Sequence, residues 1–168
     1  MIFDSSIPTP TIDWFALSPP LILLGASAVC LLTAVLAPAA WRRLISAWAT
    51  AGAFAGAFVA AALIYDKSPQ PEALIAGSMS RDRLGALAAM IICGVGLASV
   101  GVSWRLQMKA HTSEYYALLA AAAGGMTFLV SATSLITLFL ALEWFSISLY
   151  ILCAIDVEAE GSLEAGLK

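Results

Sequence analysis

Residues 115–155 contain a single charged side chain, Glu143, and no proline. As one helix at ~1.5 Å per residue, that stretch would run about twice the ~30 Å depth of a bilayer's hydrocarbon core. The chain must therefore turn within it. The small polar tetrad Ser131-Ala132-Thr133-Ser134 supplies the turn and predicts helices over about 114–131 and 134–155. Glu143 then falls near the middle of the second helix, buried at mid-bilayer depth.

Composition agrees with an apolar solvent. Hydrophobic residues make up 61% of the chain, charged residues 11%, and the mean hydropathy is +0.93, whereas a soluble domain carries about 25% charged residues. The same punctuation marks three earlier spans. One runs over about 19–37, opened by Ser18-Pro19-Pro20 and closed by Pro38; the others cover about 41–65 and 84–104. Proline is tolerated in a first helical turn because its missing N–H would be unpaired there anyway. A sixth helix begins near residue 162, where Gly161 or Ser162 can cap the first N–H groups and Glu164 suits the positive helix end. The predicted fold is an all-α polytopic transmembrane bundle, a single membrane domain over residues 1–168 with five complete spans and the start of a sixth. Because Lys168 comes barely two turns into that helix, the expectation is the front portion of a longer polypeptide. The N-terminal residues lack a positive start followed by an apolar core, so the first span is expected to serve as its own insertion signal.

Several function classes fall away. A net charge of −3, a pI near 4.9 and no basic cluster longer than Arg42-Arg43 exclude a nucleic-acid surface. Cys30, Cys93 and Cys153 each stand alone in an apolar run, without metal-ligand spacing or a disulfide pattern. His111 falls in a polar connection, where a solvated imidazole is the plain reading. With the N-terminus outside, the inner connections hold Arg42, Arg43, Arg105 and Lys109 against Lys67, Arg81 and Arg83 outside. This small excess, together with the early Arg42-Arg43 turn, sets the predicted orientation. Trp41, Trp104, Tyr115 and Tyr116 lie at span ends and are expected to anchor at the interface. Gly52 and Gly56 form a GxxxG pattern, expected to bring helices into close contact inside the bundle. Gly94, Gly96, Ala98, Gly124 and Gly125 extend that pattern.

Glu143 is the main candidate for chemistry. A charge at the bilayer centre costs roughly 2.5–3.5 kcal/mol on insertion scales, so such residues usually line a polar interior and mark an ion path. Ser146 and Tyr150 share its helical face and could hydrogen-bond it or bridging water, while Phe139, Leu140 and Ile147 flank it with apolar bulk. The structural alternative is a carboxyl held by a neighbouring helix for packing alone. For Lys168, sequence physics by itself gives only an i,i+4 partner for Glu164.

The segments Glu114-Tyr115-Tyr116-Ala117-Leu118-Leu119, Gly124-Gly125-Met126, Ser134 to Glu143 and Ser162 to Lys168 together resemble subunit N of bacterial respiratory complex I, the NADH:quinone oxidoreductase. The resemblance implies an antiporter-like membrane subunit in which a helix-five glutamate and a helix-six lysine belong to the proton-translocation machinery. Glu143 and Lys168 occupy those positions. It also implies no redox cofactor or metal on this chain; NADH, FMN, iron–sulfur clusters and quinone are expected on partner subunits. The expected partners are the other membrane subunits of the complex, and the expected location is the bacterial inner membrane with the N-terminus periplasmic. A broken seventh helix with a further lysine, implied by the same resemblance, has no counterpart in these residues. Rival readings are a cation/proton antiporter subunit of the same superfamily and a non-transporting membrane scaffold.

Overall fold

Local signals set where the helices begin. The structure of the protein, a computed structural model, describes residues 12–68, 70–104, 111–156 and 160–167. Helix α1 covers Ser18–Leu36 with Pro19 and Pro20 in its first turn, and α2 covers Ala39–Lys67. Between them Ala37 is extended (φ −82°, ψ 146°), the conformation that a following proline imposes. Helix α3 covers Arg83–Ser103 and is capped by Asp82, whose Oδ1 accepts from the Gly85 N–H at 2.7 Å. Helix α4 covers Thr112–Ser131, α5 Leu135–Cys153 and α6 Glu160–Leu167. Ser134 caps α5 through its Oγ, 3.3 Å from the Ile136 N–H.

Among the described residues four helices, namely α1, residues Ala40–Lys67 of α2, α3 and α5, are long and apolar enough to cross a membrane. Helix α4 is built differently. It packs against α1, α2, α3 and α5, and its inward residues are mostly small: Ala117, Ala120, Ala122, Ala123, Gly124 and Gly125 are all buried. A helix enclosed by others needs close backbone approach more than lipid-facing bulk. Its C-terminal neighbour Ala132 bridges to Met79, just before α3 starts, so the end of α4 lies beside the beginning of α3. At 20 residues, its length of about 30 Å matches the hydrocarbon depth.

A β-hairpin that the sequence did not announce closes the same end of the bundle. Strands β1 (Glu72–Leu74) and β2 (Met79–Arg81) pair antiparallel with Leu74 opposite Met79. The connecting turn places Ile75, Ala76 and Gly77 at φ of 47°, 54° and 78°. Only the last of these is a residue that adopts the left-handed region without steric cost. Leu74 and Met79 pack with Leu17, Ile75 and Phe128, joining the hairpin to α4 and to the segment before α1. Arg81 binds Asp13 at 2.8 Å and Glu72 at 2.6 Å.

Two packing expectations need correction. Gly52 has open space where a Cβ would lie, and a Cβ on Gly56 would meet only Ile22 at 4.0 Å, so the GxxxG pair carries no tight helix contact among the described residues. Close approach lies at other glycines: an added Cβ on Gly96 of α3 would run into the Phe54 ring of α2, and one on Gly125 would come within 2.9 Å of the Phe145 backbone nitrogen. Tyr116 is no interfacial anchor either: it is 1% exposed and among the largest fully buried side chains. Trp41 and Trp104 remain exposed at 59% and 41%.

Candidate functional site

Helix α5 carries the candidate carboxylate on the side it does not use for packing. Only Ala141 and Ser148 of its 19 residues are buried. Ala141, Phe145 and Ser148 recur at the spacing of one helical face, and Phe145 lies against Gly125 of α4. Glu143 sits two residues from both Ala141 and Phe145, which turns it toward the opposite side. It is exposed and, among the described residues, makes no hydrogen bond or ion pair.

The sequence placed this side chain in a buried environment, and within the described chain it has none. Of the expected neighbours, Tyr150 shares its outward face at 62% exposure and Ser146 is half-buried. Neither reaches the carboxylate by a hydrogen bond. Ser148, on the packed face, donates to the Trp144 carbonyl at 2.9 Å. The reason is geometric. Helix α5 touches the bundle through α4 along one edge and through α6 at its end, so nothing described here covers the rest.

Lys168 lies outside the described residues. The helix leading to it is tied back onto α5. Ser162 Oγ donates to the Cys153 carbonyl at 2.7 Å, and a Cβ on Gly166 would lie 2.6 Å from Ala154 Cβ. Both contacts sit at the end of α5 farther from the hairpin. His111 lies 3.7 Å from Glu114 as an i,i+3 pair with both side chains substantially exposed, in keeping with a solvated imidazole.

Sequence reasoning passed over a buried polar seam between α1, α2 and α4. Ser46 Oγ donates to Ser113 Oγ and lies beside Thr33 Oγ1, each at 2.9 Å. Thr50 Oγ1 lies 3.3 Å from Cys30 Sγ. Ser46 and Thr50 stand one turn apart on α2 and are both fully buried, and that i,i+4 spacing of hydroxyls in an apolar run was the available signal. Small hydroxyls bonded across helices hold membrane helices together. The seam ends against Phe54, Leu23 and Ala57, so it links helices and does not lead to Glu143.

Composition and helix lengths define a multi-pass membrane helix bundle. No family model matches the chain, but individual relatives agree. The chain is 30% identical over 176 residues to "NADH-quinone oxidoreductase subunit N" of Salinispora arenicola, covering 90% of this chain and 34% of that protein. It is 35% identical over 94 residues to "NADH-quinone oxidoreductase subunit N 1" of Roseiflexus castenholzii, covering 56% and 17% respectively. It is 32% identical over 149 residues to "NAD(P)H-quinone oxidoreductase subunit 2, organellar chromatophore" of Paulinella chromatophora, covering 86% and 29%. The chain is thus related to subunit N of NADH-quinone oxidoreductases, and it spans no more than about a third of the length of these relatives.

Proposed function

We propose that the chain is part of a proton-translocating subunit in the membrane arm of an NADH:quinone oxidoreductase. The observation that carries the proposal is Glu143: a carboxylate midway along an apolar helix, turned away from its own bundle. Exposed to hydrocarbon, it would carry the intramembrane charge penalty. A neighbouring polar or cationic helix removes that cost, and the carboxylate would then face the path along which protons move. The relatives' names supply the complex.

Glu143 acts electrostatically. An ionised carboxylate favours the charged form of a nearby ammonium, and Lys168 is the first basic residue after it in the chain. When charge elsewhere in the complex draws the pair apart, the ammonium loses that support and gives up its proton. No bond to a redox group is needed on this chain; NADH, FMN, iron–sulfur clusters and quinone belong on partner subunits. Assembly is with the other membrane subunits, in a bacterial inner membrane with the N-terminus periplasmic. Among the described residues Glu143 has no charged partner, and proton transfer needs the rest of the subunit.

The test is Glu143→Gln in the intact complex. It keeps the side chain's size and hydrogen-bonding atoms but removes the charge. The complex should assemble in normal amount with proton pumping strongly reduced, and Glu143→Asp should retain part of the rate. Wild-type pumping by the Gln variant would make Glu143 a packing residue and favour a scaffold.

A further inference from the structure

The outer hairpin touches the turn from which α5 starts, and these contacts bear on where Glu143 points. Ser78 O accepts from the backbone N–H of Thr133 at 3.1 Å and of Ser134 at 3.3 Å. Thr133 Oγ1 donates to Gly77 O at 2.7 Å, and Met79 bridges to Ala132. Arg81 fixes the far side of the hairpin through Glu72 on β1 and Asp13 ahead of α1. A continuous set of hydrogen bonds and ion pairs therefore runs from the segment before α1, through β2, to the N-cap of α5.

We propose that Thr133 and Arg81 are positioning residues for Glu143, fixing the rotation of α5 through the hairpin; this rests on the proton-translocating role of Glu143. Helix α5 is the least enclosed of the apolar helices, held along its length by α4 on a single face. A helix gripped along one edge can still roll, and its N-terminal anchor limits that roll. Ser134 lies about 14 Å along the axis from Glu143. A helix with its side chains has a radius of ~5–6 Å, so a 20° roll would move the carboxylate by roughly 2 Å. Misplacement by about 1 Å can cost on the order of 100-fold in a reaction that depends on geometry.

The test compares variants in the intact complex of the full-length protein. Thr133→Val deletes the hydroxyl that donates to Gly77 and nearly keeps the side chain's shape. Thr133→Ser keeps the hydroxyl, Arg81→Gln cuts both ion pairs, and Glu143→Gln is measured beside them. Positioning predicts that Thr133→Val assembles normally yet loses about three- to tenfold in pumping per assembled complex, with a displaced pH profile. Arg81→Gln should move both readouts in the same direction, and Thr133→Ser should restore them. If Thr133→Val and Arg81→Gln pump at the wild-type rate with the wild-type pH profile, positioning is overturned. Reduced assembly with an unchanged rate and pH profile per complex overturns it too, because a merely structural hairpin behaves that way. A Glu143→Gln variant that still loses pumping then leaves the underlying role intact. Wild-type pumping by Glu143→Gln removes the underlying role, and positioning with it.

Discussion

Gly52 and Gly125 are both helical glycines in Ala-rich runs, yet their surroundings demand opposite responses to the same substitution. At Gly52 a new Cβ meets nothing within 4 Å, so alanine brings only its better helix propensity, about 0.5–1 kcal/mol. At Gly125 the same gain is set against a contact of 2.9 Å with the Phe145 backbone. Backbone cannot rotate aside, and overpacking costs about 1–3 kcal/mol. Gly52→Ala should therefore raise the thermal midpoint in detergent and Gly125→Ala should lower it; equal shifts would show that α4 and α5 are not in close contact. This contrast was illegible in sequence, where GxxxG stood out and Gly124-Gly125 looked like more of the same. Glu143 was legible because hydrocarbon penalises charge whatever the fold. Its cover was not, since that depends on which face α5 turns to α4. Tyr116 misled for a related reason: a tyrosine at a span end fits an interfacial belt and a packed bundle equally well until its neighbours are known.

At the scale of elements, apolar length and breaker residues marked the helices because both act locally. Pro38 forces Ala37 to be extended, and the polar tetrad at 131–134 separates α4 from α5, whatever else the chain does. The hairpin at 72–81 escaped notice since strands of three residues are too short to show alternation, and two non-glycine residues in its turn adopt positive φ. Its pairing is stabilised by tertiary contacts with Leu17 and Phe128, which no local pattern reports. Asp82 stands between the two regimes, ending the hairpin and capping α3. Replacing it with alanine frees the Gly85 N–H and should cost about 1 kcal/mol, within the usual 0.5–2 range for caps, while Asp82→Asn keeps an acceptor and should be close to neutral. Thermal unfolding of the two variants distinguishes a cap from a charge effect: equal loss in both would mean that the carboxylate's charge matters more than its hydrogen bond.

For the whole molecule, connectivity divides the chain into two ends, and one labelling experiment orients it. The hairpin, the segment before α1 and the turn at 132–134 share one end, joined by Arg81 to Asp13 and by Ser78 to Thr133. The α1–α2 turn lies at the other, where Arg43 reaches the Trp104 carbonyl at the close of α3. Basic residues near the span ends remain on the cytoplasmic side, and acidic ones count for little. By that rule the expected orientation puts the α1–α2 end inward, with Arg42, Arg43, Arg105 and Lys109 against Lys67, Arg81 and Arg83 at the hairpin end. Ala40 and Ala76 are both exposed, one at each end, so a single cysteine at either site reports its side. The background requires Cys30, Cys93 and Cys153 to be replaced; the first two are buried and Cys153 is exposed. With intact cells and a membrane-impermeant maleimide, a cysteine at position 76 should react and one at position 40 should react only after the cells are opened. The reverse pattern would place the hairpin in the cytoplasm, and the Thr133 anchor of α5 with it.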